Sequence, residues 1–179
     1  MTQQSSNLPS FSFETEKLGK QHDLSSFDCG KPSLNNWLKR FAALTNQQND
    51  SARTYVAQHT GRVVGYYLLS AGSVRKEESP ARVAKGLANH PIGVIILARL
   101  AVDRTQQGTV LGKALLADAL SRALEACDAI AASAVLVHAI DEEAVAFYQK
   151  FGFESSPLDP KQLKLLMKDL RATLKSWKS

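Results

Sequence analysis

Leu97-Ala98-Arg99-Leu100-Ala101-Val102-Asp103 runs straight into Arg104-Thr105-Gln106-Gln107-Gly108-Thr109-Val110-Leu111-Gly112-Lys113, and then into Ala114-Leu115-Leu116. The first segment reads as a buried strand, the second as a tight polar loop with two glycines, the third as the start of a helix. Such a junction has a physical use. Amide groups in the loop and at the helix N-terminus lack internal partners and converge on one spot, where the helix dipole also favours negative charge. A pyrophosphate fits there, and glycine lets it approach the backbone closely.

The surrounding chain supplies the rest of a mixed sheet. Residues 92–102 are apolar and branched, as befits a central strand buried on both faces. After the loop, Leu111, Leu115, Leu120, Ala123, Leu124 and Cys127 fall close to one helical face. Ser133-Ala134-Val135-Leu136-Val137-His138 reads as a further buried strand. Asp141-Glu142-Glu143 opens another helix with acids where its dipole favours them. Ala144, Phe147, Tyr148 and Phe151 form its apolar face, and Gly152 is placed to end it. Leu163-Lys164-Leu165-Leu166-Met167 reads as a last strand, followed by a basic tail over 170–179.

Upstream, residues 1–10 are polar and read as disordered, and Phe11-Ser12-Phe13-Glu14 alternates as a first strand does. Residues 22–33 are rich in turn and cap types. Leu34, Trp37, Leu38 and Phe41 then recur at helical spacing, with Ser33 as a plausible N-cap. Residues 47–51 are a polar break. Arg53-Thr54-Tyr55-Val56-Ala57-Gln58 and Val63-Val64-Gly65-Tyr66-Tyr67-Leu68-Leu69-Ser70-Ala71 flank a turn at His59-Thr60-Gly61-Arg62 and make a hairpin. Gly65 inside the second strand marks a bulge or a close approach. Residues 72–91 read as a loop with a short helix near 82–87, bordering the acceptor side of the site. The whole is a single domain of 179 residues with a mixed α/β sheet, not a run of βαβ units.

Two motifs in order carry a family resemblance. Gln107-Gly108-x-Val110-x-Gly112 after Leu-Ala-Val-Asp resembles the acyl-CoA loop of the GNAT acetyltransferases, Gln/Arg-Gly-x-Gly-x-Gly. Ala144-Val145-Ala146-Phe147-Tyr148-Gln149-Lys150-Phe151-Gly152-Phe153 resembles their A-x-x-F-Y-x-x-x-G-F helix. The resemblance implies the GNAT fold: a mostly antiparallel, twisted sheet flanked by helices, with a splayed parallel pair where acetyl-CoA lies. Leu100, Ala101, Val102, Gln107, Gly108, Thr109, Val110, Leu111, Gly112, Lys113 and Asp141 are then its cofactor-binding residues. Val110 departs from the pattern, standing where the middle glycine is expected. A β-branched residue resists positive φ, so either this position is helical or the loop is altered and the domain is a non-catalytic binding module.

In that family a tyrosine at the position of Tyr148 lies near the CoA sulfur, and the chemistry suits a phenol. Attack of an amine on a thioester expels a thiolate, and a phenol of pKa about 10 can protonate it. A backbone N–H of the Ala101-Val102 segment is the expected donor to the oxyanion. Without the loop, the stronger reading of Tyr148 is a core tyrosine on an amphipathic helix. No carboxylate stands out as a general base; Glu77, Glu78 and Asp103 are candidates by exclusion. An α-amine, with a pKa of about 7.7–8.0, needs little help to lose its proton, whereas a lysine near 10.4 needs more. His138 reads as a core or supporting histidine, or else as a proton relay.

Three further stretches sharpen the resemblance. They are Asp23-Leu24-x-x-Phe27-Asp28-Cys29-Gly30 before Leu34-x-x-Trp37-Leu38, the hairpin with Ala71-Gly72-Ser73-Val74, and Arg99-Leu100-Ala101-Val102-Asp103. Together they are similar to the toxin branch of the family, from type II toxin–antitoxin pairs. That branch acetylates the α-amine of aminoacyl-tRNA and blocks translation. The resemblance implies charged tRNA as substrate, a homodimer and a ribbon-helix-helix antitoxin partner. Lys31, Lys39, Arg75, Arg82 and Lys85 are the candidate cations for the acceptor stem. The alternative within enzymes is acetylation of a small amine or a protein N-terminus.

Composition sets outer bounds. The formal net charge is +5, with a sequence pI near 9.3, which permits polyanionic partners without requiring them. No apolar run approaches the ~18 residues of a membrane span, and no basic-then-apolar leader is visible at the N-terminus. Cys29 and Cys127 suggest no disulfide framework, and no Cys/His cluster has metal-ligand spacing. Residence in the cytoplasm, with no membrane and no metal, is the expectation.

Overall fold

Two apolar-rich segments at 53–58 and 63–69, flanking the 59–62 turn and buried at successive positions, produce the expected hairpin. The computed structural model describes residues 13–40, 51–86 and 91–177. In chain order the elements are β1 (Thr15–Lys17), α1 (Pro32–Arg40), β2 (Arg53–His59), β3 (Arg62–Val74), a 3₁₀ turn (Lys76–Glu78) and α2 (Ala81–Ala84). There follow β4 (Ile92–Val102), a second 3₁₀ turn (Arg104–Gln106), α3 (Leu111–Ala129), β5 (Ala134–His138) and α4 (Glu142–Lys150). β6 (Glu154–Ser155), β7 (Gln162–Leu166) and α5 (Met167–Trp177) complete the order.

The seven strands form one sheet in the order β1-β2-β3-β4-β5-β7-β6. Among the strand pairs of the described residues, β4–β5 at the centre is parallel and the others are antiparallel. Helices α3, α4 and α5 cover one face. There Leu111, Leu115, Leu116, Leu120, Val145, Tyr148 and Leu170 meet Tyr67, Leu97, Val135, Val137 and Leu165. Helix α1 covers part of the other face, where Leu38 packs with Phe27, Val56, Tyr66 and Ala101.

Two irregularities position the site. The β3–β4 register jumps between Leu68 and Leu69, paired with Arg99 and Leu97, so Ala98 is extra. A bulge of one residue reverses which side chains face which side of a sheet. Leu97 therefore faces α3, as do Leu100 and Val102 beyond the bulge, while Ala101 faces α1. The second irregularity is the end of the parallel pairing at Leu97↔Val137. Beyond that point β4 runs on for five residues with no β5 beside it. The expectation that β4 is buried on both faces is corrected accordingly: residues 98–100 and 102 are only half-buried where the neighbouring strand departs, and Ile95 and Ile96 are half-buried although still paired with Val135 and Leu136.

Other sequence expectations shift as well. The first strand is Thr15–Lys17 rather than 11–14; Phe11 and Ser12 lie outside the described residues, as do residues 1–10 and Phe41. The helix expected near 82–87 is the single turn Ala81–Ala84. The basic tail is an amphipathic helix through Trp177, whose Met167, Leu170 and Leu174 are buried against α3 and the sheet. Gly65 satisfies both readings made of it. It sits beside an irregularity in the β2–β3 register, and a Cβ there would lie 2.7 Å from Leu115 Cδ1 of α3.

Candidate active site

Where β4 and β5 part, a cleft of about 430 Å³ opens. Its floor is Leu100, Ala101 and Val102. One wall is Cys29, Gly30, Lys31 and Leu34, the other Ile140, Asp141, Glu143, Ala144, Phe147 and Tyr148, and its far end is Arg104, Gln107 and Gly112. The loop quoted first and the Phe-Tyr helix, 37 positions apart in sequence between Leu111 and Tyr148, thus meet across one opening.

The loop is built by Asp103 and Gln107. Asp103 accepts from the Thr105 amide at 2.9 Å and its hydroxyl at 2.7 Å through Oδ1, and from the Asp28 amide at 2.8 Å through Oδ2. Burial alone would raise its pKa, but these donors outweigh it and hold the carboxyl below its ordinary range. A carboxylate so saturated is a structural brace, which removes Asp103 as a general base. Gln107 Nε2 donates to the carbonyls of Cys29 and Val102, both at 2.9 Å, and so joins the loop to the 27–31 turn. Gly108 has φ +74°, a left-handed conformation that favours glycine.

Val110 stands at φ −74°, ψ −5° as the N-cap residue of α3, exposed and in the right-handed helical region. The position that the family fills with glycine therefore needs no glycine here. It supplies no side-chain cap to the first turn of α3; the Leu111 amide donates to Thr109 Oγ1 at 3.3 Å, and the amides of Gly112 and Lys113 are left for a ligand. Gly108, Thr109, Val110, Leu111 and Lys113 do not line the cleft itself. Leu111 is fully buried in the core, Thr109 Oγ1 donates to the Gln106 carbonyl at 2.6 Å, and Lys113 Nζ lies 5.3 Å from the Trp177 ring.

Tyr148 is 6% exposed, packed edge-on against Phe147 and tilted against Phe153. Unlike Tyr66 and Tyr67, whose hydroxyls donate to the Leu34 carbonyl and to Asp118, its hydroxyl has no hydrogen-bond partner among the described residues. Burial pushes its pKa well above the ordinary phenol value, so it carries its proton at any physiological pH. A protonated, unpartnered phenol in a cleft wall is suited to give a proton to a leaving group.

At the mouth, Lys31 Nζ donates to Asp141 Oδ2 at 2.7 Å. Asp141 Oδ1 meanwhile accepts from the Ala144 amide at 2.9 Å as the N-cap of α4. These hydrogen bonds hold the Asp141 carboxyl below its usual range, and the Lys31 ammonium is held above its own. One proposed cofactor residue and one proposed nucleic-acid cation are thereby a single ion pair.

The other cations are scattered. Lys39 and Lys85 are exposed and do not line the cleft. Arg75 pairs with Glu78 at 3.5 Å. Arg82 pairs with both Glu154 and Asp169, the latter at 2.8 Å. Glu77 and Glu78 are absent from the lining, and His138 is exposed at the end of β5 rather than in the core. The acid that does reach the cleft beside Asp141 is Glu143. Arg104, Gly30, Leu34 and Ile140 also escaped sequence reasoning. The signal for Arg104 was its place directly after Asp103; the 28–34 wall had none, since it arrives by folding. Among the described residues no group of side chains has the makings of a metal site, and no helix is long and apolar enough to cross a membrane.

A seven-stranded, mostly antiparallel sheet, splayed at one parallel pair beside a loop and helix N-terminus, is the architecture of an acyl-CoA-dependent N-acetyltransferase. Residues 50–155 match the family model of the acetyltransferase (GNAT) domain, and the chain belongs to that family. Within it, the chain is 46% identical over 158 residues to the tRNA-acetylating toxin of Mycobacterium tuberculosis strain H37Rv, covering 88% of this chain and 94% of that protein. The fold superposes on AtaT complexed with acetyl-methionyl-tRNAfMet with a TM-score of 0.82, at 27% identity, over 89% of this chain and 98% of that one. It also superposes on a tyrosine-to-phenylalanine mutant of the AtaT toxin bound to the C-terminus of the antitoxin AtaR and acetyl-CoA. There the TM-score is 0.77, at 26% identity, over 91% and 98% of the two chains.

Proposed function

We propose that this chain is the toxin of a toxin–antitoxin pair, and that it transfers the acetyl group of acetyl-CoA to the α-amino group of an aminoacyl-tRNA. The observation that carries the reading is the unpartnered Tyr148 hydroxyl in the wall of the cleft at the β4–β5 splay. The likeness to the mycobacterial tRNA-acetylating toxin supports the substrate class.

The residues present suit the co-substrate, which supplies an acyl group activated as a thioester. The amides of Gly112 and Lys113 at the start of α3, with Gly108 in its left-handed turn and Arg104 at the cleft's far end, would hold the pyrophosphate. Leu100, Ala101 and Val102 present a strand edge that β5 has left, and the pantetheine would lie along it. A backbone N–H of the Ala101-Val102 segment donates to the carbonyl oxygen as negative charge develops there. Tyr148 holds its proton at the hydroxyl for the departing sulfur. As the C–N bond forms and the C–S bond breaks, that proton passes to the thiolate, and the proton lost by the amine returns to the phenolate through solvent. No free carboxylate need serve as base, because an α-amine is partly neutral at pH 7.

An acylated α-amine cannot accept a growing peptide, which makes the product inert in translation. The reaction places the protein in the cytoplasm, where charged tRNA and acetyl-CoA both occur. Its partners in this reading are a second copy of the chain and a ribbon-helix-helix antitoxin. The deciding experiment incubates the protein with labelled acetyl-CoA and total charged tRNA. Label should appear on one or a few aminoacyl esters and leave as N-acetyl amino acid on mild alkaline hydrolysis. Label on free amines or protein N-termini, with none on charged tRNA, overturns the reading.

A further inference from the structure

Arg99 plays no part in the chemistry above, yet it is half-buried one residue from the cleft floor. Its guanidinium lies 4.7 Å from the centroid of the Trp37 ring. Trp37 in turn stacks on Tyr66 at 5.8 Å with an interplanar angle of 13°. Tyr66 is fixed by its hydroxyl donating to the Leu34 carbonyl at 2.9 Å. Three elements thus place one guanidinium over an aromatic platform. Lys31, Arg75, Arg82, Arg104 and Arg122 all have acidic partners. Arg99 has no hydrogen-bond or ion-pair partner among the described residues. Stacking occupies the face of a guanidinium and leaves its edge, which carries the N–H donors in a fork matched to phosphate.

Its placement says which phosphate. The bulge at Ala98 turns Arg99 to the α1 face, the same face as Ala101. Leu34, one turn before Trp37, lines the cleft, as does Ala101. The platform is therefore at the α1 wall, on the section of β4 that β5 does not cover, and away from the α3 N-terminus where the pyrophosphate belongs. We propose that Arg99, held over the Trp37 ring, grips a backbone phosphate at the 3′ end of the acceptor nucleic acid. This rests on the aminoacyl-tRNA reading and adds the residue that distinguishes a nucleic-acid acceptor from a bare amine.

The test compares two acceptors carrying the same amino acid: charged tRNA, and the aminoacyl ester of adenosine, which has no phosphate. Arg99→Gln should raise KM for charged tRNA about tenfold or more. It should also lower the slope of log kcat/KM against log salt by about one, while KM for acetyl-CoA and the rate on aminoacyl-adenosine stay at wild-type values. Arg99→Lys should recover part of the loss. Trp37→Leu, which removes the platform but not the charge, should show a smaller defect with the same selectivity. An equal loss on both acceptors, or no loss on either, overturns the assignment of Arg99. Wild-type protein that labels no charged tRNA overturns the functional reading itself, a result that no Arg99 variant can imitate.

Discussion

Tyr148 and Asp103 show how burial sets two ionisable groups on opposite courses. The phenol has nothing to stabilise its anion, so desolvation keeps it protonated. Because its hydroxyl has no partner among the described residues, Tyr148→Phe should leave the melting temperature within about 1 °C of wild type while lowering kcat by about 10²–10⁴-fold. The alkaline limb of the wild-type profile should also be absent: kcat/KM rises with the amine's own pKa, at about 7.7–8.0, and stays level to pH 10. A fall between pH 8 and 9 would assign the acid elsewhere. Asp103 is instead surrounded by donors, and its folded pKa lies below its unfolded value. Its contribution is therefore present above the unfolded pKa and lost as pH falls through the folded one. Asp103→Asn should cost about 1–3 kcal/mol at pH 7, a penalty that shrinks toward pH 3 in urea titrations.

At the scale of elements, helix α3 sits where it does because β3 carries a glycine beneath it. A methyl at Gly65 would meet Leu115 Cδ1 at 2.7 Å and crowd the Ala101 carbonyl at 3.4 Å. Gly65→Ala should cost about 1–3 kcal/mol by denaturant titration and raise KM for acetyl-CoA, because the helix start must shift; unchanged KM would detach the helix seat from the cofactor site. The strand-loop-helix unit was legible in sequence because its signals are local: an apolar branched run, two glycines, then helical periodicity. The Phe-Tyr helix was legible for the same reason. The bulge at Ala98 was not, since register is settled by pairing with Leu68 and Leu69 on a strand about thirty residues away. Nor was the Arg99 platform, whose three side chains come from α1, β3 and β4. Helix α5 could have been read: Met167, Leu170, Leu174 and Trp177 recur at helical spacing, but Lys168, Arg171 and Lys175 between them drew the reading toward a charged tail.

Across the whole molecule, some of the cations proposed for nucleic acid also make ion pairs between elements. Arg82 joins α2 to Glu154 of β6 and Asp169 of α5, fastening that turn to the far edge of the sheet. Lys164, buried at the same edge, donates to the Glu78 carbonyl at 2.5 Å and to Gln162 Oε1 at 2.9 Å. Arg82→Ala should lower the melting temperature by roughly 1–3 °C and weaken binding of charged tRNA less than Lys85→Ala does; the reverse order would restore Arg82 to the nucleic-acid surface. The Lys31–Asp141 contact has a wider effect than its exposure suggests. One oxygen of that carboxylate starts the helix bearing Tyr148 while the other tethers the opposite rim. Losing the whole side chain would slacken both sides of the opening in a single event. Asp141→Asn retains an oxygen for the helix but not the ionic tether, so amide exchange should quicken around residues 29–34 and leave 144–148 nearly unchanged. Faster exchange on both sides would mean that rim and helix are geared together, and that the opening widens as one body.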